Sequence, residues 1–155
     1  ENLGLRLGKS IHRISSLATI IAILSTACLP WADSEKTVSA MIALASFRSD
    51  RAILVDVRDD FEVNVCGGVF ETARHFPSLR ARKDPEKFQH FLRNEVKQKE
   101  VYFYGAENVR CPSTIPRMLT PQEDRVRTLD TVALAVSFGF AAAGVDGSLN
   151  AAITK

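Results

Sequence analysis

Cysteine and histidine are scarce in this sequence, and each scarcity excludes something. The three cysteines, Cys28, Cys66 and Cys111, lie far apart with no CxxC, and their odd number argues against a disulfide framework. The three histidines, His12, His75 and His90, share no metal-ligand spacing, so neither a metal site nor a cofactor is expected. Excess charge is lacking too. Twenty basic against eighteen acidic residues leave a net charge of +2, and no basic run is interleaved with aromatics. Nucleic acid is therefore not an expected partner. The first residue is Glu1 rather than methionine, which raises two expectations: a removed targeting segment, or further residues upstream.

What is present suits one globular core, with 46% hydrophobic and 25% charged residues over 155 positions. The first 33 residues differ from the rest. A mildly basic "ENLGLRLGKSIHR" leads into "ISSLATIIAILSTACLPW", Ile14 to Trp31, which carries no charge and is about long enough to cross a hydrocarbon core. Arg6, Lys9 and Arg13 precede the run, Asp33 and Glu35 follow it, and Trp31 stands where an interfacial aromatic would. Ser15, Ala18, Thr19, Ala22, Ser25 and Thr26 fall on one helical face, opposite Ile14, Leu17, Ile21, Leu24 and Cys28. Such a small-residue stripe lets another backbone approach closely in lipid. Three readings compete: a spanning helix, an uncleaved signal-like segment, and a helix buried in a protein partner. Membrane insertion is preferred. Residues 1–33 are then an N-terminal segment with a membrane-inserted helix over 14–31, and residues 34–155 the folded domain.

From Asp33 onward the pattern alternates between helix and strand. Ser34 is placed to cap a helix with Val38, Ile42 and Ala45 on its apolar face. "AILVDV", Ala52 to Val57, is a short continuous apolar run, the pattern of a strand buried on both faces. Asp84 and Pro85 open a helix as N-cap and first turn, with Phe88, Phe91, Leu92 and Val96 on one face. "VYFY", Val101 to Tyr104, is a second buried strand. "TPQE", Thr120 to Glu123, is a capping box with proline at N1. It starts a helix carrying Val126, Leu129, Ala133 and Val136 that ends near Gly139. Strands alternating with helices at this spacing imply an α/β fold with a parallel sheet.

Several stretches, in order, resemble the rhodanese-like domains of the rhodanese/Cdc25-type superfamily. "LVDVRDDFE", Leu54 to Glu62, resembles the family's first core strand ending in Asp-Val-Arg. "GVFETARHFP" keeps Gly68, Ala73 and Pro77 of its Gly-His-Ile-Pro-Gly-Ala segment, with Val69 and Thr72 departing from it. "YFYGAENVR" resembles the central strand and active loop, and "GVDGSLNAAI", Gly144 to Ile153, the final strand and turn. The resemblance runs from about Ser34 to the C-terminus. It implies a rhodanese-like parallel sheet flanked by helices, preceded here by the N-terminal hydrophobic helix.

Active members carry a cysteine directly after the central strand, in a six-residue loop that closes on arginine. Counting back five residues from Arg110 lands on Gly105, so the loop length is kept and the nucleophile is absent. A persulfide or phosphoenzyme intermediate needs a thiolate that attacks, carries the group and leaves, and glycine supplies none of this. No residue is therefore assigned a catalytic role. Gly105, Ala106, Asn108 and Arg110 form a vestigial loop whose N–H groups are candidates for holding an anion. Glu107 within the loop and Pro116 after it weaken that reading, and Arg110 has a structural alternative as an ion-pair partner of Asp56 or Glu107. Asp56 and Arg58, at the end of the first core strand, are supporting residues that fix the loops.

The expectation that follows is a catalytically inactive domain serving as a structural or accessory subunit of a membrane-associated complex. Its partners would be other protein subunits, and membrane lipid through residues 14–31. The mitochondrial inner membrane is the expected site, with another organellar membrane such as the thylakoid as the alternative. The flanking charges place the N-terminus on the matrix or cytoplasmic side and the domain on the other. Two further readings stand beside it. One is a sulfurtransferase, or a related thiol-dependent phosphatase or arsenate reductase, using Cys111 in "RCP", which faintly resembles the Arg-Gly-Pro of that related group. The other is a sensor binding an anionic metabolite in the empty loop. Cys66, beside Gly67 and Gly68, is read as a packing residue, and Cys28 as inert.

Overall fold

The structure, a computed structural model, describes residues 37–111 and 119–153. The apolar run at 14–31 and Pro116 lie outside the described residues, among which no helix is long and apolar enough to cross a membrane.

In chain order the elements are β1 (Thr37–Ser39), α1 (Ala40–Arg48), β2 (Ala52–Asp56), α2 (Asp60–Val65), β3 (Arg74–His75), α3 (Ser78–Lys83), α4 (Pro85–Val96), β4 (Glu100–Tyr104), a 3-10 turn (Ala106–Asn108), α5 (Pro121–Ser137), β5 (Ala142–Asp146) and α6 (Leu149–Ile153). The strands form one parallel sheet in the order β1-β5-β4-β2-β3. The continuous apolar runs become the central pair, β2 beside β4, with Ile53 opposite Val101 and Val55 opposite Phe103. A parallel sheet needs cover on both faces. Leu44, Leu54, Tyr102, Tyr104 and Leu149 form the core of one face, and Val55, Phe88, Leu92, Phe103 and Val132 that of the other. This is the fold that the rhodanese-like resemblance implies.

Local chemistry sets several boundaries. Asp84 accepts from the Lys87 N–H at 3.0 Å with Pro85 at the first helical position. Thr120 and Glu123 complete their reciprocal capping box at the start of α5. Helix α5 ends at Ser137, before Gly139 with its φ of +86°.

Two sequence readings are corrected. Residues 37–39 are a strand paired with β5, and the helix begins only at Ala40 with Ser39 as its cap, so Val38 is not on its face; Ser34, expected to cap it, lies outside the described residues. That helix buries Ala40, Ala43 and Leu44, while Ile42 is 57% exposed. On α5 the apolar stripe faces outward: Val126 and Val136 are 47% and 49% exposed, and the buried face is Asp124, Arg127, Thr128, Thr131, Val132 and Ala135. A charged pair that satisfies itself can turn inward, and hydrophobic periodicity does not register it.

Because all five strands run the same way, Asp56, Tyr104 and Asp146 end at one side of the sheet. Open parallel sheets place their ligand crevices at this edge.

Candidate functional site

The loop after β4 is the centre of interest. Gly105 is buried, with extended backbone (φ −116°) that any residue adopts. Space, rather than conformation, restricts the position to glycine. A Cβ added here would stand 2.5 and 2.6 Å from the carboxylate oxygens of Asp124 and 2.8 Å from its Cγ. The volume a nucleophile's side chain would need is occupied by a carboxylate from the first turn of α5.

The loop holds that carboxylate with its own backbone. The Glu107 N–H donates to Asp124 Oδ2 at 2.9 Å, and the Gly105 N–H donates to Asn108 Oδ1 at 2.9 Å. Asn108 is buried, and its Nδ2 donates to the carbonyls of Val145 and Gly147, both at 2.9 Å, tying the loop to the end of β5. Ala106 opens the 3-10 turn half-buried. Arg110 is exposed and makes no ion pair among the described residues. The alternative reading of Arg110 as an ion-pair partner finds it paired with neither Asp56 nor Glu107, and Asp56 has another partner.

That partner is Arg58. Both side chains are fully buried, with Arg58 Nη2 2.6 Å from Asp56 Oδ2 and Nε at 2.9 and 3.0 Å from the two oxygens. Arg58 also donates to the carbonyl of Gly68 at 2.9 Å, and its own carbonyl lies 2.9 Å from His75 Nε2. Together Asp56 and Arg58 tie the turn at Gly68, ahead of β3, to the segment that follows β2. Tyr104, fully buried at the end of β4, accepts from the Phe70 N–H at 2.9 Å. Burial, with the Asp56 charge beside it, pushes the Tyr104 phenol far up, so it stays neutral.

Sequence reasoning missed a second buried group. Arg127 contacts Asp124 and places its Nη1 2.5 Å from Glu62 Oε2 and its Nη2 3.3 Å from Oε1. All three residues are at most 6% exposed. Burial alone would raise the Glu62 carboxyl, but Arg127, the Asp59 N–H and the Arg58 charge outweigh it and hold Glu62 below the usual 4.5. The only sequence signal was an Asp and an Arg three positions apart early in α5.

Cys111 is half-buried and joined to Cys66 by a disulfide, across 45 residues. This corrects two expectations. The odd cysteine count did not preclude a pairing, because two of the three meet and Cys28 lies outside the described residues. Cys66 is a bonding partner rather than a packing residue, since the turn at the end of α2 brings it to the exit of the Gly105 loop. In this state Cys111 offers no thiolate.

A cleft of about 320 Å³ lies beside the loop, lined by Glu107, Asn108, Asp124, Thr128, Gly144 and Asp146 among others. Among the described residues, no group of three His, Cys, Asp or Glu side chains is placed to hold a metal ion.

No protein-family model matches the chain, and no curated protein does. Solved structures do. The BH2092 protein of Bacillus halodurans is 14% identical, with 88% of this chain and 79% of that one covered and a TM-score of 0.50. The hp1203 protein of Helicobacter pylori is 19% identical over 76% and 82% of the two chains (TM-score 0.48). A Saccharomyces cerevisiae protein, described as a homolog of single-domain rhodanese and the Cdc25 phosphatase catalytic domain, is 17% identical over 79% and 85% (TM-score 0.45). The likeness is one of fold. What the loop does has to be read from its own residues, and these hold the Asp124 carboxylate against Gly105.

Proposed function

We propose that this chain is a catalytically inactive rhodanese-like domain that serves as a structural or accessory subunit of a membrane-associated complex. One observation carries the inactive reading: Gly105 stands in the nucleophile's place, and Asp124 fills the space a side chain there would need. A group-transfer step requires a thiolate able to attack and leave. The buried charges offer none, and they pair two guanidinium groups with three carboxylates.

The purified chain is expected to show only background thiosulfate:cyanide turnover. Gly105→Cys alone should remain inactive, because the new side chain meets Asp124. Turnover by the wild type in the presence of a thiol reductant, lost in Cys111→Ser, would instead favour the enzymatic reading.

The accessory role rests on the uncharged run at 14–31, which suits attachment to lipid or to a partner helix. The Cys66–Cys111 disulfide adds support for a domain on the oxidising side of a membrane, since such bonds seldom persist where thiols are kept reduced. An intermembrane or lumenal placement agrees with the positive charge ahead of the apolar run. The mitochondrial inner membrane is our first choice and the thylakoid the alternative. Carbonate extraction of native membranes tests the anchor: the chain should stay in the pellet, and its release would sink the spanning helix.

A further inference from the structure

We propose that Asp124 is the resident anion of the Gly105 loop, an internal carboxylate that closes the loop to anions from solution. The inference rests on the reading of this loop as a vacated active site and goes on to say what now fills it. The Glu107 N–H donates to Asp124, and Arg127 supplies a guanidinium contact to the same carboxylate. An N–H and a guanidinium converging on one carboxylate are the donors an anion site uses. Asp124 is 2% exposed, so nothing from solution reaches these donors while it is in place.

The donor set also has capacity in reserve. Arg127 Nε is buried and has no hydrogen-bond partner among the described residues, in a side chain that is 5% exposed. A buried guanidinium N–H without an acceptor is uncommon and costly. Take away the Asp124 carboxylate, and the Glu107 N–H and the Arg127 Nη2 that held it lose their acceptor beside the space left by the shortened side chain, next to a glycine that contributes no Cβ. A monocarboxylate as small as formate matches the missing group in charge and geometry. Sulfate carries the same kind of oxygens in a larger body.

The test is chemical rescue on the full chain. Asp124→Ala and the isosteric Asp124→Asn are compared with wild type by thermal melting in sodium formate, sodium sulfate and sodium chloride at equal ionic strength. The alanine variant should melt higher in formate than in chloride, by about 3–6 °C at saturating anion. Wild type and Asp124→Asn, whose loop remains filled, should show only the general stabilisation that an excluded salt such as sulfate gives any folded protein, and no gain specific to formate. An alanine variant that does not fold in chloride should be recovered folded from formate. Equal behaviour of that variant in all three salts, or an equal gain by wild type, would overturn the proposal. Thiosulfate turnover by wild type would count against the inactive reading alone and leave the formate result to decide this one.

Discussion

Arg127→Met is expected to lower stability by about 3–5 kcal/mol at neutral pH, the usual cost of leaving buried charge uncompensated. The substitution is nearly neutral in volume, so lost packing contributes little. It strands two carboxylates at once, Glu62 and Asp124, each at most 6% exposed. Against a total stability of about 5–15 kcal/mol for a domain of this kind, the loss is large. Acid changes the comparison in a direction fixed by the residues. In wild type the Glu62 carboxyl lies below its unfolded value of 4.5, so its contribution is complete above that pH and is lost as pH falls from 4.5 through the lower folded value. In the variant the Asp59 N–H and the Arg58 charge remain but the Arg127 contribution is gone, so the same carboxyl moves up and takes up a proton in the folded state at a higher pH than in wild type. The variant's deficit should therefore narrow as pH drops, as urea midpoints read from neutral pH downwards would show. A deficit independent of pH would mean that the loss comes from packing and not from charge.

Reducing the Cys66–Cys111 bond should cost about 2–4 kcal/mol. Loop closure over 45 residues gives about 4 kcal/mol as an upper figure, and solvation of the opened chain reduces it. Denaturation midpoints with and without a dithiol measure the loss. Cys66→Ser and Cys111→Ser should each reproduce it, and neither variant should respond further to reductant. Thiol counting under denaturing conditions supplies a direct check: one free thiol per chain before reduction, since three cysteines less two in the bond leaves one, and three after. Three free thiols before reduction, or a midpoint indifferent to the dithiol, would remove the bond from the folded protein.

The frame of the fold was legible because it rests on short-range chemistry. The runs at 52–57 and 101–104 have the look of strands buried on both faces, and Asp84–Pro85 and Thr120–Glu123 announce helix starts through side-chain caps that need no tertiary context. Gly105, the position that the resemblance marks for a nucleophile, was likewise found by counting back from Arg110. What fills it was not. Asp124 lies 19 positions further along the chain, and an acid in the first turn of a helix reads as an ordinary favourable interaction with the helix dipole. Arg127 and Glu62 are paired across 65 positions, and their burial inverts the expected face of α5. The disulfide was missed for a related reason: the spacing of Cys66 and Cys111 says nothing of distance once a turn and a loop exit are folded together.

The carboxylate that seals the loop belongs to a helix of 17 residues, and this binds the motions of the two together. The Glu107 amide ends on Asp124, so it can exchange its hydrogen with solvent only when the first turn of α5 releases its hold. A loop that closes on its own residues flickers open by itself. This one is fastened to a neighbour, and its opening has the frequency of that neighbour's fraying end.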